Sequence, residues 1–94
     1  MNKYEVVLII KPAEEEVVNA VITKFENLIQ NNGGEVEKID RWGKRRLAYA
    51  IKDIMDGYYC IITFVADPKV IFEFDRVMKL TDDLLKHMII KEKE

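Results

Sequence analysis

The order in which two kinds of hydrophobic periodicity alternate along this chain restricts its fold more than any other feature. Tyr4-Glu5-Val6-Val7-Leu8-Ile9-Ile10 is rich in β-branched residues and is stopped by Pro12, which is the pattern of a strand. Glu14, Glu15 and Glu16 then stand where the positive end of a helix dipole favours anions. Val17, Val18, Val21, Ile22, Phe25, Leu28 and Ile29 follow as one stripe at helical spacing, closed by Asn31-Asn32-Gly33-Gly34. Glu35 to about Lys52 reads as a long strand interrupted at Gly43, because glycine inside a strand marks a bulge. Asp53-Ile54-Met55-Asp56-Gly57 is expected to turn the chain into a third strand, Tyr58 to Val65. Asp67 and Pro68 are the N-cap and first position of a second helix, whose apolar stripe is Val70, Ile71, Phe74, Val77 and Met78. Thr81-Asp82-Asp83 breaks that helix, Leu84 to Ile90 is a last strand, and Lys91-Glu92-Lys93-Glu94 is expected to be a solvated tail.

The resulting order, βαββαβ, is the ferredoxin-like split βαβ of the α+β class: a four-stranded antiparallel sheet with both helices on one face. The first and third strands are expected in the middle, side by side and parallel. The second strand is expected at an edge, paired to the third through the 53–57 turn. Alternation assigns Tyr4, Val6, Leu8 and Ile10 of the first strand, with Tyr58, Cys60, Ile62 and Phe64 of the third, to the helix-covered face. Val7, Ile9, Tyr59, Ile61 and Val65 then fall on the uncovered face. A sheet with one wet face alternates more cleanly than this, so that face is either partly covered by loops or docks a partner.

With 94 residues, nearly half of them hydrophobic, the chain reads as one domain, residues 1–94, with a single modest core. The 15 basic and 17 acidic residues nearly cancel, so only clustering of charge carries information. The lone Cys60 lies in an apolar run and reads as a buried small hydrophobe, consistent with a reducing, cytoplasmic setting. The N-terminus lacks the apolar region of a signal peptide, and no apolar run approaches the ~20 residues of a membrane span.

The residues offer no catalytic machinery. His87 has no Ser, Cys or carboxylate motif beside it and reads as structural. No His/Cys cluster has zinc spacing, so neither a metal nor a cofactor is expected. Gly33-Gly34 follows a helix instead of preceding one and is not a phosphate cradle. Glu14–Glu16 is a helix start, and Asp82-Asp83 reads as a solvated or capping pair. The RNA-recognition motif shares the fold, but its third-strand pattern fails here: Asp56 replaces the cation, Tyr59 stands where Gly or Ala belongs, and Cys60 and Thr63 replace aromatics.

What remains is Asp40-Arg41-Trp42-Gly43-Lys44-Arg45-Arg46-Leu47-Ala48-Tyr49-Ala50-Ile51-Lys52, with four cations, an indole and a glycine between Arg41 and Arg46. Flexible cations beside an aromatic plane suit phosphates and bases. Cations on an edge strand also deter edge-to-edge aggregation, and a Trp beside a glycine is often simply packed.

The same run, Asp40 and Trp42 through Tyr49 with Ile51, resembles the signature W-G-[KR]-R-x-L-A-Y-x-I of the bacterial small-subunit ribosomal protein six family. Met1 to Val6 is similar to that family's amino terminus, and Phe74-Asp75-Arg76 with Asp82 through Lys91 to its closing helix, turn and strand. The resemblance spans the whole chain. Two positions depart from it: Ala50 stands where many members carry proline, and Asn2 where many carry arginine, with Lys3 kept. The long acidic tail of some members is missing. The resemblance implies the ferredoxin-like fold and no enzymatic activity. It also implies joint binding of the 16S ribosomal RNA central domain with small-subunit ribosomal protein eighteen. Carried over by position, the RNA- or partner-binding residues are Arg41, Trp42, Lys44, Arg45, Arg46 and Tyr49, with Lys3 added from the amino terminus. No membrane or small-molecule substrate is implied. The alternative from the residues alone is a regulatory or small-ligand domain that dimerises through its uncovered apolar sheet face.

Overall fold

A computed structural model describes residues 1–92. The elements are β1 (Asn2–Ile10), α1 (Glu15–Asn31), β2 (Glu35–Ile51), β3 (Ile54–Ala66), a 3-10 turn (Pro68–Val70), α2 (Ile71–Lys79) and β4 (Leu84–Lys91). They form one sheet of order β2-β3-β1-β4, with every neighbouring pair antiparallel. This is the expected α+β, ferredoxin-like arrangement. One expectation is overturned: β1 and β3 are central neighbours but run antiparallel, Asn2 opposite Ala66 and Ile10 opposite Tyr58. The α1 crossover returns β2 parallel to β1 with a gap between them, and the β2–β3 hairpin reverses direction, so β3 fills the gap running the opposite way.

The local signals act as their chemistry requires. The Asp67 side chain accepts from the Lys69 backbone N–H (3.0 Å), with Pro68 at the first position of the turn that leads into α2. Gly33, at φ +82°, ends α1, and the Gly34 N–H returns to the Ile29 carbonyl (2.9 Å). The β2–β3 turn is shorter than the expected 53–57 segment and begins one residue before it. It is the two-residue loop Lys52-Asp53, both at positive φ (52° and 64°), flanked by the pair Ile51 and Ile54. Positive φ at both central residues is the type I′ hairpin requirement, for which Asp-Gly is the favoured dipeptide. Asp56-Gly57 has that composition but lies in β3, because a Cβ on Gly57 would stand 2.5 Å from Ile9 Cγ2. The glycine is spent on close packing, and the turn is made by residues that adopt positive φ less readily.

The main core lies between sheet and helices. Val6, Leu8, Ile10, Cys60, Ile62 and Phe64 from the sheet meet Ile22, Phe25 and Ile29 of α1 and Phe74 and Met78 of α2, all of them fully buried. Burial pushes the Cys60 thiol up to about 11, against the opposing charge of Arg41, so it is an unreactive packing group. His87, on the helix-covered side of β4, pairs with Asp75 of α2 (2.7 Å), which also holds Lys79 (2.8 Å). At the chain's end, Lys91 completes β4 and the Glu92 N–H donates to the Lys3 carbonyl (2.9 Å), so these two residues belong to the sheet border. The rest of the expected tail lies outside the described residues.

Candidate functional site

The basic segment lies on β2, the outermost strand, with one side of its backbone unpaired. Its register against β3 decides which way each side chain points. Arg41 pairs with Cys60, Lys44 with Tyr58 and Arg46 with Asp56, the row that shares the helix-covered side. Asp40 pairs with Ile61, Gly43 with Tyr59 and Arg45 with Gly57, the row on the open face. Arg45 and Arg46 therefore point to opposite faces, as adjacent strand residues must.

Between the rows the register slips at Gly43, whose φ of +83° marks a bulge. The bulge turns Trp42 onto the open face. There its indole lies against Tyr59 in an offset parallel stack, ring centroids 6.5 Å apart and planes 10° from parallel, and its N–H donates to Asp40 Oδ2 at 3.1 Å. The opposite side of the ring stays in solvent, and Trp42 is 48% exposed.

A larger irregularity separates Arg46 from Ile51, where the register shifts again. Leu47 to Ala50 bulge out, and Leu47 folds under onto Ile9 and Leu85 in a second small cluster, flanked by Ile51, Ile54 and Tyr59. This explains the apolar residues left over on the open face. Ile9 is covered by the strand's own extension, not by a loop, and Tyr59 by Trp42. Val7, Ile61 and Val65 are half-buried, and Met88 and Ile90 stay exposed. A notch of about 100 Å³ remains between Leu47, Tyr49, Tyr59 and Lys86. Tyr49 stands beside it, 67% exposed.

The candidate cations differ in what holds them. Among the described residues, Lys44, Arg45 and Arg46 make no ion pair or side-chain hydrogen bond, and no group of carboxylate, His and Cys side chains is arranged to hold a metal. Arg41 donates to the Asn19 side-chain oxygen of α1, a neutral partner that fixes it without cancelling its charge. Lys3 is placed elsewhere. It ion-pairs with Glu37 (3.1 Å) and lies near Glu92 (4.0 Å), with Glu37 the main cause of its raised pKa. It pairs with Val65, eight residues along β3 from the Gly57 partner of Arg45, roughly 25 Å away at strand spacing. The Trp42–Tyr59 stack and the Leu47 fold-over are not foreseeable from residue order. Only the glycine at position 43 signals the first.

The family model described as Ribosomal protein S6 matches residues 3–91. The small ribosomal subunit protein bS6 of Desulforamulus reducens is 52% identical over 95 residues, and that of Clostridium kluyveri 46% identical over 95 residues, each covering 100% of both chains. The crystal structure of 30S ribosomal protein S6 from Thermotoga maritima superposes with a TM-score of 0.93 at 26% identity, over 97% of this chain and 87% of that one. No helix of the described residues is long and apolar enough to cross a membrane. Proteins of this family are non-enzymatic components of the small ribosomal subunit, in the cytoplasm. By a match that runs from the first strand to the last, the chain belongs to the ribosomal protein S6 family.

Proposed function

We propose that this small-subunit protein binds the central domain of 16S ribosomal RNA together with ribosomal protein eighteen, through the free rim of β2 and the open face beside it. The observation that carries this reading is the clustering of charge on the sheet border. Lys44, Arg45 and Arg46 are consecutive on an unpaired strand edge, Arg45 toward the open face and the other two toward the helix side, and none makes an ion pair among the described residues. Three adjacent cations without counter-charges repel one another, and a polyanion relieves that repulsion.

The rim offers two kinds of contact at once. Its unpaired N–H and C=O groups can take main-chain hydrogen bonds from an added protein segment. Its guanidinium groups can grip phosphate in a bidentate fork, where Lys44 acts as a point charge. Three or four phosphate contacts give a shallow salt dependence, a slope of about −2 to −4 in log K against log salt. The footprint is therefore weak alone and depends on the surface the partner adds. The test replaces Arg45 and Arg46 by Ala, with circular dichroism confirming the fold. Binding of the pair with ribosomal protein eighteen to a central-domain RNA fragment is then measured across salt. Affinity falls, and the slope flattens by about 0.7 for each phosphate that is no longer neutralised. Unchanged affinity and slope remove these arginines from the interface.

A further inference from the structure

Resting on the RNA-binding reading above, we infer that the solvent face of Trp42, backed by Tyr59, is a stacking platform for one unpaired nucleobase, with Arg45 and Lys86 beside it for the flanking phosphates. Four observations converge on this. The indole is held flat by its stack on Tyr59 and by the Trp42 N–H bond to Asp40, so little side-chain freedom is lost when something lands on it. Nearly half of it is nevertheless exposed, an unusual amount of bare aromatic surface for the sole tryptophan. The sheet register places Arg45, Tyr59 and Lys86 on the same open face, with Lys86, Ile9, Tyr59 and Gly43 in one cross-strand row, and the stack on Tyr59 brings Trp42 to that face. Neither Arg45 nor Lys86 has a carboxylate partner among the described residues, and Asp40, the acid in contact with the platform, is engaged by the indole N–H.

A flat aromatic with flanking cations is the chemistry of single-stranded nucleic-acid binding, since every base has a π-face. Protein anchors need a pocket to fill. Here the adjoining notch is about 100 Å³, below the few hundred Å³ usual for a ligand pocket.

Trp42 is the only tryptophan of the chain, so it reports on itself. Protein carrying fluorotryptophan is combined with ribosomal protein eighteen and then with a central-domain 16S fragment. The fluorine resonance is followed at each step, alongside fluorescence anisotropy of the labelled RNA. The resonance is expected to hold on adding the partner and to move on adding RNA. Trp42→Leu is expected to weaken RNA binding of the pair roughly fivefold to a hundredfold, the range for removal of one base stack, with the salt slope unchanged because no charge is removed. Trp42→Phe, which keeps a π-face, is expected to restore most of the affinity and controls for a folding defect in the leucine variant. RNA that binds by anisotropy while the resonance stays still, or while Trp42→Leu binds as well as the parent, overturns the platform and leaves the RNA reading standing. A resonance that moves with ribosomal protein eighteen and not again with RNA also overturns it and makes the indole a protein contact. Absence of any RNA binding by the pair ends both readings.

Discussion

Leu47→Ala measures how firmly the bulged end of β2 is fastened over the open face. Leu47 is 5% exposed and packs on Ile9 and Leu85, each 8% exposed, so its side chain is within a few per cent of full burial. The change to alanine removes three carbons, and at ~0.8 kcal/mol for each buried carbon the transfer loss is about 2.4 kcal/mol. A cavity term normally adds to this. At this site it is small, because the notch beside Leu47 already opens to solvent and the vacated space hydrates or collapses. The expected destabilisation is therefore about 2.5 kcal/mol, the low end of the range for leucine truncation. For a domain of this length that is a fall in Tm of about 10–20 °C. Urea denaturation followed by far-UV circular dichroism reads it directly, with the denaturant slope unchanged. The fully buried side chains of the main core provide the contrast: Phe25→Ala is expected to cost more, ~3–5 kcal/mol. A loss below about 1 kcal/mol for Leu47→Ala, well under the range for a buried leucine, would show that residues 47–50 hang free. The site would then lose the support that places Tyr49 beside Tyr59.

Gly43→Ala separates backbone strain from packing, since a Cβ at position 43 meets nothing within 4 Å while φ is +83°. A loss of ~1–2 kcal/mol in urea unfolding is expected from the left-handed conformation alone, and a neutral result would mean that the bulge is not enforced. Asp75→Asn tests the bond between α2 and β4. Lys79, and after it His87, hold the Asp75 carboxyl below its ordinary 3.8, so its contribution to stability is present above that value and is lost as pH falls through the lower folded-state value. Below pH ~4 the parent is expected to lose stability that the variant does not have to lose. The difference stays within about 1 kcal/mol because the Asp75 side chain is 38% exposed. Urea midpoints between pH 6 and 2 that run parallel for the two proteins would refute it.

How much of this is legible in the chain depends on the range of the interactions involved. The stripes of α1 and α2, the Asp67-Pro68 helix start, the bulge at Gly43 and the edge position of β2 all follow from signals within a few residues or from chain-crossing rules. So does the opposite orientation of Arg45 and Arg46. The start of β3 is set four residues too late, at Tyr58 instead of Ile54, because Asp56-Gly57 carries a local turn signal while the reason for Gly57 is Ile9, almost fifty residues away. Direction goes wrong once, at β1 and β3, where the crossover and the hairpin have to be composed to give the right sense.

Residue spacing and residue type were enough to settle the kinds of elements and their order, because strand and helix periodicities are written in the first and caps in the second. They also settled that a run of cations gathers on one strand. Which of the cations are available follows only from the folded chain. Lys3 is cancelled by Glu37 across the sheet, Arg41 is tethered to Asn19 of α1, and Lys44, Arg45 and Arg46 are left unmatched among the described residues. Folding likewise laid Trp42 on Tyr59 and tucked Leu47 beneath the rim. The physical reason is the two-residue period of a strand: a single extra residue exchanges the faces of everything beyond it, and where that slip settles is fixed by contacts with residues far away in the chain.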